Sequence, residues 1–248
     1  MYVLPYGQMS LWGLIKPQMY ESNLILNLSL SITPIYFGIT PKIIRLKGIY
    51  RIGPHNKDII SIIFGTLLGD AHAEKRSNGV GTRINLYQEA IHVKYLLHLH
   101  NLISKLGYCN TKIPVITTRL GSKGKIRKVI RFSTWTYTSF NWIHELWYDK
   151  NIKRLPECLS EYLTPLALAI WIMDDGAKVG NSLKLSTNSF KECVILVNIL
   201  NENFDIKASI HSAGKKDQYL VYIFKESIDN LKNIVFPYII PEMKYKLN

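Results

Sequence analysis

LAIWIMDDG (residues 168–176) decides how the rest of this chain is read. Six apolar residues run without a break into two adjacent aspartates and a glycine. A segment with the pattern of a buried helix therefore delivers carboxylates at its end. A second window, IFGTLLGDA (63–71), has the same form, and end-to-end alignment puts Asp70 and Asp175 at the same eighth place, 105 residues apart. In the first window Gly65 and Gly69 are four apart, so they share a helix face that another helix can approach closely. The second offers Ile170 and Asp174 at those places. Small residues set against large ones predict two helices interlocked along a seam, with their C-terminal ends bringing Asp70 and Asp175 together.

The likeness extends beyond the windows. After the acid-tipped helix DIISIIFGTLLGDA (58–71), TRINLYQ (82–88) alternates like a strand, and AIHVKYLLHLHNLISKLG (90–107) is an amphipathic helix with a glycine stop. KIPVITTRL (112–120) and KVIRFSTWTY (128–137) pair around GSKGK, and SFNWIHELWYD (139–149) is a further helix. The second copy follows the same order: LTPLALAIWIMDDG (163–176), NSLKLSTNS (181–189), FKECVILVNILNENF (190–204), KASIHS (207–212) and QYLVYIF (218–224) around AGKKD, then KESIDNLKNIVF (225–236). Each copy is read as helix, two strands, helix, two strands, helix. Repetition on this scale implies two similar half-domains about a pseudo-twofold axis. The expected fold class is α+β, with an extension over 1–50 and half-domains over 51–150 and 151–248.

Composition narrows the partners. The chain has 248 residues, 47% hydrophobic and 20% charged, in the range of a folded protein. Its 31 Lys and Arg against 18 Asp and Glu leave +13, a balance suited to a polyanion such as nucleic acid. Cys109, Cys158 and Cys193 show no C-x-x-C spacing, which points to reduced thiols rather than a zinc knuckle. The uncharged run Ser22 to Pro41 alternates and contains Pro34, so it reads as a strand or arm and not as a membrane span. No secretory signal is read at the start, and no membrane partner is expected. His98 and His100 are two apart on a helix and point to different sides, which argues against a ligand pair.

Two carboxylates at neighbouring helix C-termini repel one another and face the unfavourable ends of two dipoles. A divalent cation removes that conflict, and hard oxygen ligands suit Mg2+, with Mn2+ able to substitute. Paired acids on a basic scaffold are what metal-dependent phosphodiester hydrolysis needs. The strands add a reading surface. Arg83, Asn85 and Tyr87 share one face, as do Thr117 and Arg119, Lys184, Ser186 and Asn188, and Ser209 and His211. Lys123, Lys125, Arg127 and Lys128 in one turn region, and Lys215 and Lys216 in the other, are placed to follow phosphates. About ten such contacts would make binding fall steeply with salt.

The two windows, IFGTLLGDA and LAIWIMDDG, resemble the paired motifs of single-chain LAGLIDADG homing endonucleases and the intron maturases derived from them. The resemblance runs from about residue 58 to the C-terminus. It departs from the usual pattern at Gly69 and Ala71, which stand where Ala and Gly are usual, and in the second copy's large middle residues. It implies a saddle of two antiparallel sheets straddling a long asymmetric DNA site, and a monomer. It implies that Asp70 and Asp175, with the main-chain carbonyls of Gly69 and Asp174, bind the metals. Lys153 and Lys246 match the family's lysine places, where they would polarise a water or balance phosphate charge. Gln88 and Asn188, at the ends of matching strands, would position water or contact bases.

LPYGQMSLWG, within residues 1–13, resembles a segment of mitochondrial cytochrome b. That resemblance implies an intron product translated in frame with the preceding exon, encoded in a cytochrome b group I intron and residing in the mitochondrial matrix. Two functions follow as expectations. One is a DNA endonuclease that cuts the intronless cytochrome b gene and promotes intron mobility. The other is an RNA maturase that binds its own group I intron and assists splicing, and one chain can do both.

Overall fold

The computed structural model describes residues 46–75, 80–121, 124–187, 190–214 and 218–248. The cytochrome b-like start, the Ser22 to Pro41 run, Lys123, Asn188, Lys215 and Lys216 lie outside the described residues.

The first half contains α1 (Lys57–Leu68), β1 (His72–Lys75), β2 (Thr82–Glu89), α2 (Val93–Lys105), β3 (Thr117–Leu120), β4 (Ile126–Ser133) and α3 (Asn141–Trp147). A small hairpin of β5 (Tyr148–Asp149) and β6 (Ile152–Lys153), then α4 (Leu159–Tyr162), leads to the second half. That half holds α5 (Pro165–Asp175), β7 (Gly176–Val179), β8 (Ser182–Ser186), α6 (Phe190–Phe204), β9 (Ala208–Ser212), β10 (Tyr219–Ile223) and α7 (Ile228–Val235). The helix–strand–strand order therefore repeats, and two antiparallel sheets result, β1-β2-β4-β3 and β7-β8-β10-β9.

Local chemistry starts the two central helices. The Asn56 side chain accepts from the Asp58 N–H at 2.6 Å ahead of α1, and Thr164 accepts from the Ala167 N–H at 3.2 Å ahead of α5, which has Pro165 in its first turn. Residues 167–173 of α5 are all buried, because the helix meets α1 on one side and its own half on the others. The contact between α1 and α5 is the interlock anticipated from the windows. A Cβ placed on Gly65 would lie 2.6 Å from the Ala167 carbonyl oxygen and 3.0 Å from Ile170 Cβ, and one on Gly69 would lie 2.5 Å from Asp174 Cβ. Gly65 thus faces its repeat-mate Ile170, and Gly69 faces its repeat-mate Asp174. Contact between equivalent positions places the pseudo-twofold axis in this seam.

Strand β2 alternates buried and half-buried residues along its length, with Ile84, Leu86 and Gln88 inward and Arg83, Asn85 and Tyr87 outward. The registers of the two sheets correspond: Ala73 pairs with Ile84 as Lys178 pairs with Leu183, and Leu86 pairs with Phe132 as Leu185 pairs with Val221. The buried apolar residues of both halves form a continuous core.

Several segments differ from their sequence reading. For the first strand pair of each copy only TRINLYQ and NSLKLSTNS stand out; the missing partners are β1 and β7, four-residue strands formed directly after each acid. They are too short for alternation to show and exist because β2 and β8 pair with them. KIPVITTRL is a strand only from Thr117; Ile113, Val115 and Ile116 before it are exposed, and Pro114 has no N–H for a ladder. β4 stops at Ser133, beyond which Thr134 and Tyr137 make isolated bridges to Cys109 and Thr82. The three cysteines are free thiols. Among the described residues no helix is long and apolar enough to cross a membrane.

The seam predicts an asymmetric response to added methyl groups. Gly65→Ala meets backbone that cannot rotate away, so the helices must separate, at about 2–3 kcal/mol. Gly107→Ala, at φ +81° with nothing within 4 Å, meets only left-handed strain of about 1 kcal/mol. Urea midpoints of the two variants should separate accordingly, and equal midpoints would contradict the close approach.

Candidate active site

The seam ends at three carboxylates. The Gln88 amide nitrogen donates to Asp70 Oδ2 at 2.7 Å and to Asp174 Oδ1 at 3.1 Å, so one side chain of β2 holds acids from both central helices. Asp175 and Asp70 line one cavity of about 240 Å³ with Lys153, Arg154, Thr187 and Glu192. Burial pushes the Asp175 carboxyl up to about 6, helped by the charge of Asp70 and opposed by Lys246 and Lys153. Asp174 is held well above the usual carboxylate range by burial, then by Asp70 and Asp175, against a hydrogen bond from Tyr95 and the charge of Lys246. The Tyr95 hydroxyl, fully enclosed between α2 and α5, also donates to the Ile170 carbonyl at 3.3 Å, and burial followed by the Asp174 charge raises its pKa.

A lysine stands at the end of each central helix. Lys153 Nζ donates to the carbonyls of Gly69 (3.1 Å) and Ala71 (3.0 Å), and Lys246 Nζ donates to those of Met173 (2.5 Å) and Asp174 (2.8 Å). Both ammonium groups therefore sit at the negative ends of the acid-bearing helices. Lys153 is delivered by the β5–β6 hairpin, whose two-residue turn places Lys150 (φ 47°) and Asn151 (φ 66°) in the left-handed region. Lys246 ends a 3₁₀ turn over Pro241–Lys246 and is buried. Burial lowers both lysines' pKa values, opposed chiefly by Asp175 at Lys153 and by Asp174 at Lys246.

This donor set fits a hard divalent cation. Among the described residues none of Asp70, Asp174 and Asp175 forms an ion pair, so their repulsion is met only by hydrogen bonds and by lysines one carbonyl away. No group of three or more His, Cys, Asp or Glu side chains among the described residues could hold a metal alone. A cation here would need main-chain carbonyls, water or phosphate to complete its shell. The carbonyls of Gly69 and Asp174, which the resemblance assigns to the metals, each accept from a lysine ammonium in this structure.

The two sheets offer the expected side chains on their open faces, with differences. Arg83 Nη2 and Nε donate to Glu74 Oε2 at 2.7 and 3.0 Å, and Asn85 Nδ2 donates to the same oxygen at 2.7 Å. Ser133 Oγ donates to Asn85 Oδ1 at 2.6 Å. Tyr87 stands opposite Arg131, and Arg119 opposite Arg127, which reaches Glu89 at 3.4 Å. Lys125 and Lys128 are exposed. On the second sheet Lys184 and Ser186 are on the open side, and His211 stacks on Tyr222 at 4.8 Å beside Ser209 Oγ.

Gln88 departs from this set: it lies on the inward face of β2, at the acids and not with Arg83, Asn85 and Tyr87. By register its counterpart is Thr187, whose N–H donates to the Tyr219 carbonyl, where Gln88 pairs with Ile130. Gln88 therefore corresponds to Thr187, one residue before the Asn188 expected from the strand ends, because ladder partners and not strand ends set the equivalence. Sequence reasoning also missed Glu74, Tyr95 and the Asp174 side chain. Glu74 sits on a strand with no sequence signature, and Tyr95 and Asp174 meet only because the halves pack.

The LAGLIDADG DNA endonuclease family matches residues 60–231. Over 206 residues the chain is 54% identical to the cytochrome b mRNA maturase bI2 of Saccharomyces cerevisiae, covering 79% of this chain and 49% of the relative. It is 51% identical over 196 residues to the protein of the same name in Debaryomyces hansenii, covering 78% of this chain and 75% of the relative. The chain thus spans about half the length of the Saccharomyces relative. The solved structure of the homing endonuclease I-WcaI bound to its DNA recognition sequence superposes with a TM-score of 0.70 at 28% identity, covering 78% of this chain and 87% of that one.

A pH dependence follows from Asp175. Its folded pKa of about 6 exceeds the ordinary 3.8, so the fold favours the protonated acid. That contribution is full below about 3.8 and is lost as pH rises through 6, leaving a penalty of ~3 kcal/mol at pH 8. Asp175→Asn should therefore stabilise the metal-free protein at pH 8 by up to ~3 kcal/mol, with little gain at pH 4. Urea melts at the two pH values check this, and magnesium at pH 8 should raise the wild-type midpoint more than the variant's.

Proposed function

Since the chain belongs to the LAGLIDADG DNA endonuclease family, we propose that it is a site-specific, magnesium-dependent endonuclease that cuts both strands of an intronless cytochrome b target and so promotes intron mobility. The observation that carries this reading is the meeting of Asp70, just after α1, and Asp174, in the last turn of α5 beside Asp175, on one Gln88 amide, with a lysine at each helix end. In this reading residues 51–150 and 151–248 act as two half-sites, one for each strand.

Asp70 and Asp175, with the carbonyls of Gly69 and Asp174, would hold the metal, which when bound supplies Lewis-acid activation of water and of the leaving oxygen. The protein's own groups do the rest. Lys153 and Lys246 keep positive charge beside the acids, where it balances phosphate. Gln88 fixes the Asp70 carboxylate and leaves its other oxygen free to act. Arg83, Asn85, Tyr87, Arg119, Lys184, Ser186, Asn188 and His211 would read base edges, while Lys123, Lys125, Arg127, Lys215 and Lys216 follow the backbone. The Glu74 bonds keep Arg83 and Asn85 extended before DNA arrives.

The identity to two proteins named cytochrome b mRNA maturase favours a second activity, binding of a group I intron RNA and assistance to its splicing. Both activities would operate in the mitochondrion.

With magnesium the purified chain should linearise a plasmid carrying the intronless cytochrome b junction. Asp175→Asn should lower the cleavage rate by about 1,000-fold, equivalent to ~4 kcal/mol of barrier, while target affinity stays within a few-fold. A chain that cuts nothing with any divalent ion, yet binds the intron RNA and speeds its splicing, would be a maturase alone.

A further inference from the structure

We propose that the second half carries a phosphate-binding pocket for intron RNA, built from Lys178, Lys225 and Lys232 and lying off the open face of its sheet. The proposal rests on the maturase reading and supplies what that reading lacks, a place on the protein for the RNA backbone.

The three lysines line a cavity of about 210 Å³ between β7, β8 and α7, with Asn181, Ser182 and Asp229 as further polar lining and with a fourth lysine, Lys246, whose ammonium is held by the Met173 and Asp174 carbonyls. Among the described residues none of the three has a carboxylate within 4 Å, Asp229 included. Like charges lining one small cavity repel one another, and an anion bound there relieves that repulsion. Charge carried only for solubility would spread over the surface.

Comparison of the halves shows that the pocket belongs to one of them. Lys178 pairs with Leu183 in the register where Ala73 pairs with Ile84. Ala73 is buried, and its N–H donates to the Tyr148 hydroxyl at 3.1 Å, so that corner is closed and apolar. The second half replaces it with an exposed lysine facing a cavity.

Position assigns the phosphate to RNA. Alternation along β7 sets Lys178 on the opposite side of the sheet from Ala177, the partner of Lys184. DNA laid along the open face meets Lys184 and Ser186, and Lys178 stays on the helix-covered side. A folded RNA, with phosphates at many angles, can engage this side. Its recognition would be of backbone and shape rather than sequence.

The test uses the full chain with Lys178→Ala, Lys225→Ala and Lys232→Ala combined, and a transcript of the cytochrome b intron that encodes it. Intron RNA affinity should fall at least about tenfold near 150 mM salt, and the slope of log affinity against log salt should shrink by about two. Target-DNA affinity and plasmid cleavage should stay within twofold. The three lysines exchanged for arginine should restore RNA binding, which separates lost charge from a damaged fold. Unchanged RNA affinity and slope in the alanine variant would overturn the site alone. An equal loss for DNA would reassign the lysines to DNA and overturn it as well. Wild-type chain that binds no intron RNA would remove the maturase reading and this site together.

Discussion

The absence of a side chain at Gly69 is the constraint on which the rest depends. A Cβ there would occupy the space of Asp174 Cβ, and a Cβ at Gly65 would run into the backbone at Ala167. Removing both lets α1 and α5 touch backbone to side chain over a full turn. That contact joins the two halves into one core and brings three carboxylates to the same end of the seam. Two helices held a few ångströms further apart would lose packing along the seam and the shared hydrogen bonds of Gln88.

Close packing leaves an electrostatic conflict that the protein resolves only in part. Asp174 and Asp175 are both pushed toward protonation by burial, while Lys153 and Lys246 satisfy helix carbonyls instead of pairing with the acids. Ammonium-to-carbonyl bonds keep the positive charge nearby without neutralising the carboxylates. Among the described residues the acids therefore have no ion-pair partner, which is the feature the proposed cation binding would use.

The halves share a plan but not their details. Gly69 answers Asp174, Gln88 answers Thr187, and buried Ala73 answers exposed Lys178. Asp174 is the sharpest difference: its side chain reaches Gln88 in the first half, while its carbonyl receives Lys246 of the second. The first half has no side chain to return that contact. The two acid sites are consequently unlike in their surroundings, in keeping with a single chain that has no need for exact symmetry.

By itself the sequence determined the repeat, the two buried helices, the acids at their tips and the glycines that let them meet, because period and residue size are local properties of the chain. It also marked the outward residues of β2, since alternation survives wherever one face is buried. Only the tertiary structure decided the rest. β1 and β7 are strands because partners pair with them, and Lys153 reaches Gly69 because a hairpin turns it back. Alternation alone turns Gln88 away from the Arg83 face, but only the packing of the halves brings that inward face against Asp70 and Asp174. Contacts between residues 86 apart, such as Gln88 with Asp174, have no trace in local pattern, since they arise when two already folded halves close on each other.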